Sequence, residues 1–415
     1  MTRLLAPEMF GVMTIATMIL LGLALFSDFG LRQSVVQSNR GSQSLFLNTV
    51  WVTKVAVGLA LTTASAAIAA LLAAASHLSI FSSGSAYTDP QLPYVVVALG
   101  VGALVSAFES TRLLEATRGL RLKPVIQLQL IGQAAGVLAM LATSALTRSV
   151  WVLVIGSLIS NSVTTILSHA WMKGTPNRFE WDMQCFLEVF RFGKWILLSS
   201  TLGFLSLATD KALLAGILPT ATLGIYAIAS LLVSAAEQLL SKPVSDVAFP
   251  AISEVARDRQ SDLRRFLYKL HFPVSAAAFT TCGALLVAAP DIVRVLYDTR
   301  YHDAGWMLQI LSLTLLPVPA RLHATAFMAL GKSRLQFLLT TVSIGLTWIA
   351  IPVGYATANL AGAVWGVTLS HLLIIPIVMG LAHQQGTLDL KREFLAFPLL
   401  ALGGIIGMMA NAILR

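Results

Sequence analysis

The chain has 415 residues, 56% of them hydrophobic and only 11% charged, with a mean hydropathy of +0.79. An ordinary soluble domain is about 25% charged, so this composition excludes a water-soluble enzyme carrying a single apolar anchor. The net charge of +9 is therefore read first as membrane topology, and no nucleic-acid partner is expected.

A helix needs roughly 20 mostly apolar residues to cross about 30 Å of hydrocarbon. In chain order, twelve stretches qualify: 8–27, 46–75, 93–110, 124–146, 150–172, 193–217, 221–241, 270–290, 304–329, 334–356, 361–382 and 394–413. The opening one lacks the basic, apolar and cleavage regions of a signal peptide, and Pro7 with Glu8 marks the edge of a membrane helix. The second is long enough to tilt or to project into water. Two connectors are longer than the rest, 173–192 and 242–269. Their spaced apolar residues ("FLEVFRFG", "DLRRFLYKLHF") predict amphipathic surface helices. The expected fold is all-α, a polytopic membrane protein of about 12 transmembrane helices.

Charge sets the orientation. Alternate connectors, beginning with the one after the first span, hold 20 of the 28 Lys and Arg residues, and the opposite connectors hold five. By the positive-inside rule the rich side is cytoplasmic, which places both termini outside. A first helix starting outside without a signal peptide implies that an earlier helix is missing.

An internal repeat points the same way. "FGVMTIAT" (10–17) and "LGIYAIAS" (223–230) match at a shift of 213 residues, and the same shift carries Ile131 and Gly132 onto Ile344 and Gly345. Later helices of the first half fall near those of the second, whereas 193–217 maps to positions before Met1. The opening helix is thus expected to be the second of a six-helix repeat. Two such repeats share an orientation, as in transporters built from parallel halves. The expected division is an N-terminal lobe at 1–178 with about five spans, a C-terminal lobe at 179–384 with about six, and an additional helix at 385–415.

Several segments carry a resemblance. "LFSDFGLRQSVVQSN" (25–39) resembles the segment after the second helix of bacterial polysaccharide transporters, the O-antigen and exopolysaccharide flippase (Wzx-type) family. "RFGKWILLSSTLGFLSLATDKALLAGILPTATLGIYAIA" (191–229) is similar to the start of their second lobe. "SDVAFPAISEVARD" (245–258) and "IVRVLYDTRYHDAGWMLQILSL" (292–313) are similar to later segments of that lobe. The family belongs to the multidrug, oligosaccharidyl-lipid and polysaccharide exporter superfamily, whose members usually have fourteen helices in two lobes around a central cavity. The resemblance implies that this chain lacks the first and last of them. It also implies a flippase of the bacterial inner membrane that moves a polyprenyl-diphosphate-linked oligosaccharide by alternating access. Membrane lipids, and polysaccharide polymerase and assembly proteins, are the partners it implies.

The residues themselves hold no P-loop, no HExxH and no usable nucleophile elbow, so neither an enzyme nor a nucleotide-driven pump is expected. Two distant cysteines, Cys185 and Cys282, and histidines without clustered spacing lead us to expect no disulfide, cofactor or metal site. Ionisable residues inside a membrane are costly and become functional candidates. Arg321 follows Pro317 and Pro319, which break the helical ladder, and could pair with phosphate. Asp210 and Lys211 sit about two thirds of the way along their span, facing a cavity or forming a structural ion pair. Lys54 sits about two turns into its own, lining a cavity or snorkelling to headgroups. These four are the candidates for substrate binding. Glu237 is the best lone carboxylate for a proton-coupling role, although its nearness to the inside face favours a helix-end role. Glu109 and Arg112 share a helical face and predict an interfacial pair, with gating of the cytoplasmic mouth as the alternative role. His323 could titrate near neutrality, or be a satisfied core histidine.

The basic run "RDRQSDLRRFLYK" (257–269) predicts contact with anionic headgroups or docking of assembly proteins. A cation-coupled multidrug exporter of the same fold is the alternative function, and a non-transporting scaffold of polysaccharide assembly is another. Three mid-helix bases favour an anionic cargo over a cationic one.

Overall fold

Proline at position 7 needs no N–H partner in a first helical turn, and the apolar run after it forms α1, Pro7–Phe26. The computed structural model describes residues 5–26, 31, 34–35, 38, 40–78, 84–119, 121–244, 248–258, 262–393 and 395–414. Most of the motif at 25–39 lies outside these, as do 245–247 and Arg259 of the basic run, and the side chain of Lys194. Every regular element among the described residues is helical. Among the described residues, seven helices are long and apolar enough to cross a membrane, or eight if one bent pair counts as a span, fewer than the twelve expected. The protein is therefore a multi-pass membrane protein. Chain contacts divide it into two units, Met1–Gly224 and Ile225–Arg415.

In the first unit α1 is followed by α2 (Ser44–His77), α3 (Leu92–Ala107), α4 (Arg112–Arg118), α5 (Leu122–Leu146), α6 (Trp151–Ala170) and α7 (Met183–Ile217). α1 packs on α3 and α7, α2 on α3, and α5 on α6. The expected surface helix at 173–192 is not separate. Residues 173–182 are non-helical, and Asp182 caps a helix that runs on through the span predicted at 193–217, accepting the Cys185 N–H at 2.8 Å. Phe46, Leu47 and Val50 of α2 bury Cys185 and Val189, so the start of α7 is docked on protein.

The chain then forms α8, Thr220–Pro243. Beyond it, the second unit holds α9 (Phe249–Asp258), α10 (Leu263–Leu296), α11 (Ala304–Ser312), α12 (Arg321–Ala329), α13 (Ser333–Leu372), α14 (Ile374–Gln384), α15 (Leu390–Glu393) and α16 (Leu399–Leu414). The "DLRRFLYKLHF" stretch is the first part of α10 and not a surface helix: Leu263, Leu267, Tyr268 and His271 are buried. The span expected at 304–329 is broken between α11 and α12, around Pro317 and Pro319.

α13 turns back on itself at Ala358 and Asn359, where Asn359 has φ 50°. Asparagine tolerates that left-handed region better than most residues. Partners recede symmetrically from the turn: Gly354 lies against Gly362, Gly366 against the Ala350 carbonyl, and the Thr347 hydroxyl donates to Ser370 Oγ at 3.1 Å. The two arms of this turn, the second continued by α14, occupy the stretches predicted at 334–356 and 361–382. A Cβ at Gly362 would run into the Gly354 carbonyl oxygen, closer than backbone can yield. Gly362→Val is expected to cost about 3 kcal/mol by overpacking, read as a lower midpoint of thermal unfolding in detergent; an unchanged midpoint would refute the close seam.

Candidate functional site

In the first unit three of the ionisable candidates, Lys54, Glu109 and Arg112, stand where α3 breaks. α3 stops at Ala107 and α4 leaves at 64° to it. The break frees backbone groups, and polar side chains take them up. Trp51 Nε1 and His169 Nε2 donate to the Phe108 carbonyl at 3.3 and 2.8 Å, and the Ser110 N–H donates to Ser168 Oγ at 2.8 Å. Lys54 Nζ reaches across from α2 to Glu109 Oε2 at 2.8 Å, each side chain 26% exposed. Glu109 thus pairs with Lys54, and the expected Glu109–Arg112 pair does not form, because the break removes the shared helical face on which it depended.

Arg112 turns to the end of α6 instead. Its Nη1 donates to the carbonyls of His169 and Met172 at 2.6 and 3.0 Å, satisfying the last turn of that helix. Arg112→Ala is expected to destabilise the protein by about 1–3 kcal/mol, measured by thermal unfolding; a stability loss below that range would show that water replaces the guanidinium. Asp210 and Lys211 are half-buried on α7.

In the second unit α12 carries two of the candidates. Arg321 opens the helix directly after the proline break. Its Nη2 pairs with Glu237 Oε1 of α8, and its Nη1 donates to Ser241 Oγ at 3.1 Å. The Arg321 side chain remains 43% exposed and that of Glu237 28%. A cation so held is charged, oriented and still open to a ligand.

His323, two residues on, is fully buried. Its Nε2–H donates to Glu393 Oε1 at 2.6 Å, and His271 Nε2 of α10 lies 2.9 Å from Glu393 Oε2. The Tyr268 hydroxyl donates to Glu393 Oε1 at 2.5 Å and accepts the Asp389 N–H at 2.8 Å. Ser275 Oγ lies 3.0 Å from His271 Nδ1. Burial works to raise the Glu393 pKa, and the polar and ionic contacts of His271, His323 and Tyr268 outweigh it, holding the carboxyl below its usual range. The histidines are therefore clustered, not isolated, with ring centroids 6.0 Å apart.

Sequence reasoning found His323 but not Tyr268, His271 or Glu393. The signal was present: Tyr268, His271 and Ser275 recur at the spacing of one helical face. Next to this cluster lies a cavity of about 250 Å³ lined by Arg265, Tyr268, Lys269, Phe272, Arg392 and Leu395. Three cations rim it, two of them from the basic run singled out in the sequence.

A family model described as "Polysaccharide biosynthesis protein" matches residues 1–306. The lipopolysaccharide biosynthesis protein WzxC of Escherichia coli (strain K12) is 23% identical over 434 residues, covering 99% of this chain and 83% of that one. Among solved structures, an inward-facing multidrug resistance MATE family transporter of the MOP superfamily superposes with a TM-score of 0.65 at 14% identity. It covers 99% of this chain and 92% of its own. The lipid II flippase MurJ in an inward closed conformation gives a TM-score of 0.61 at 11% identity, with 98% and 96% covered. At these identities the two structures establish the shared fold.

Proposed function

Because the chain belongs to the polysaccharide biosynthesis protein family, we propose that it is a flippase of the bacterial inner membrane. Its cargo is a polyprenyl-diphosphate-linked oligosaccharide, carried from the cytoplasmic to the outer leaflet by alternating access. The observation that carries this reading is the full-length similarity to a lipopolysaccharide biosynthesis protein on a fold shared with a lipid II flippase. The multidrug transporter and the lipid II flippase both share the fold alone, so the cargo of the proposal rests on the polysaccharide family and its lipopolysaccharide relative.

The cargo's diphosphate asks for fixed, accessible cations. Arg321 meets that need: it is ion-paired, oriented and partly exposed at a helix break. Lys54 and Lys211 are the further cations of the proposal, with Asp210 as the acidic neighbour of Lys211. Glu237 is the carboxylate from which an incoming phosphate would draw Arg321, and Glu109 plays that part toward Lys54. Such exchange couples cargo binding to the release of an internal contact.

Leaflet exchange in proteoliposomes tests the reading. A fluorescent polyprenyl-diphosphate oligosaccharide is incorporated, and the fraction accessible to a membrane-impermeant quencher is followed with time. Exchange faster than in protein-free vesicles is expected. Exchange no faster, with folded protein and the cargo of its own polysaccharide system, would overturn it.

A further inference from the structure

We infer that His271, His323 and Glu393 form a binding site for one divalent transition-metal ion within the second unit, with zinc(II) or its analogue cobalt(II) as the ligand. One nitrogen from each histidine and one oxygen of Glu393 all lie within 4.8 Å of one another. Zinc bonds imidazole and carboxylate at about 2.0–2.2 Å in a tetrahedral array, so ligand atoms about 3.3 Å apart are needed. The contacts of His323 Nε2 and His271 Nε2 with the two Glu393 oxygens, at 2.6 and 2.9 Å, are hydrogen-bond spacings. The ion would therefore displace the His323 Nε2 proton to solvent, and the groups would open by about 0.5 Å around it.

Three further observations point to a cation. First, His271 Nε2 is fully buried and makes no hydrogen bond, although Glu393 Oε2 is only 2.9 Å away. The geometry toward that oxygen is not that of a hydrogen bond, so a buried ring nitrogen of the cluster is left unpartnered. Second, His271 Nδ1 is held by Ser275 Oγ. Metal-binding histidines are fixed in this way through the other ring nitrogen. Third, Glu393 is a buried carboxylate. Among the described residues no Lys or Arg lies within ion-pair distance of it, and Arg264 and Arg392 go to Asp389 at 3.4 Å. The only cationic partners of Glu393 among them are the two histidines when they carry a proton. With both imidazoles neutral, the buried charge needs another cation to offset its desolvation.

The donor set selects the ion. Two imidazoles and one carboxylate suit zinc, cobalt and nickel, whereas calcium and magnesium need six or more oxygens. The Tyr268 oxygen, already on Glu393 Oε1, closes the side toward the cavity. Its rim of Arg265, Lys269 and Arg392 repels loosely held cations, so occupancy requires inner-sphere nitrogen ligands. The bound ion would tie α10, α12 and α15 together. No local motif marks the site, because its ligands are 52 and 70 residues apart along the chain.

The test uses the purified full-length protein in detergent, stripped by a chelator. Zinc is titrated against a fluorescent competitor, cobalt is followed by its ligand-field absorption, and the zinc-loaded wild type is examined by X-ray absorption. One ion per chain with two imidazole ligands is expected. Glu393→Gln and His323→Gln should weaken binding at least 100-fold, and Ser275→Ala, which touches no ligand atom, about 10-fold. Circular dichroism and thermal unfolding establish that each variant is folded. Equal affinity in the wild type and all three variants would mean surface binding and overturn the site. Failure of the wild type to bind one ion would also overturn it, leaving protons as the cluster's only cations. None of these readouts depends on transport.

Discussion

Arg321→Ala is expected to slow leaflet exchange of the lipid-linked oligosaccharide about 10- to 100-fold while the protein stays folded in the membrane. A hydrogen bond to a charged group contributes about 1.5–3 kcal/mol, and a guanidinium can bond phosphate through two parallel N–H groups. Both are lost in alanine. Folding should survive, because Arg321 is 43% exposed and its ion pair with Glu237 is partly solvated. Arg321→Lys keeps the charge and loses the fork, so it should fall between wild type and alanine. Glu237→Gln removes the carboxylate that competes with phosphate for Arg321. It should therefore tighten cargo binding and slow turnover, seen as saturation at lower cargo density with a lower plateau rate. Exchange unchanged in Arg321→Ala would remove this cation from the mechanism.

How far the site could be read beforehand depends on how each residue is placed. The helical, membrane-spanning character of the chain was legible because hydropathy over some twenty residues is a local property. The turn at Ala358 and Asn359 lies within the gap expected between 334–356 and 361–382. Arg321 was legible for a similar reason: Pro317 and Pro319 announce a break, and a base beside a break in an apolar run is conspicuous. Partnerships were not. Glu109 and Arg112 are three residues apart, and helical spacing pairs them only if the helix continues. It does not, and Lys54 from 55 positions away takes the carboxylate. Docking of helix starts was hidden too. "DLRRFLYKLHF" has the pattern of a helix lying at an interface, and the same pattern buries one face when α9 and α12 cover it. Glu393 follows Lys391 and Arg392 in a run that reads as a charged loop. Only the fold shows that it turns inward to His271 and His323.

Glu393→Ala carries the largest expected loss of stability. With a chelator present, removal of the carboxylate should cost about 3–5 kcal/mol, the usual penalty for breaking a buried ionic group by deleting one partner. Tyr268, His271 and His323 would be left buried with their polar atoms facing a void. The apolar surroundings cannot satisfy them: Leu267, Leu322 and Ala326 belong to the same core. Replacing all three ionisable groups together should behave differently. A His271→Leu, His323→Leu, Glu393→Leu variant removes the desolvation cost along with the contacts, and such replacements are often neutral or stabilising by about 1–4 kcal/mol. Thermal unfolding of the wild type, the single variant and the triple variant in detergent separates the cases. A triple variant as unstable as Glu393→Ala would mean that the network supports the packing of α10, α12 and α15 beyond its charge. Recovery in the triple variant would mean that the cluster is kept at a cost to stability, which a structural role alone does not explain and a bound cation does.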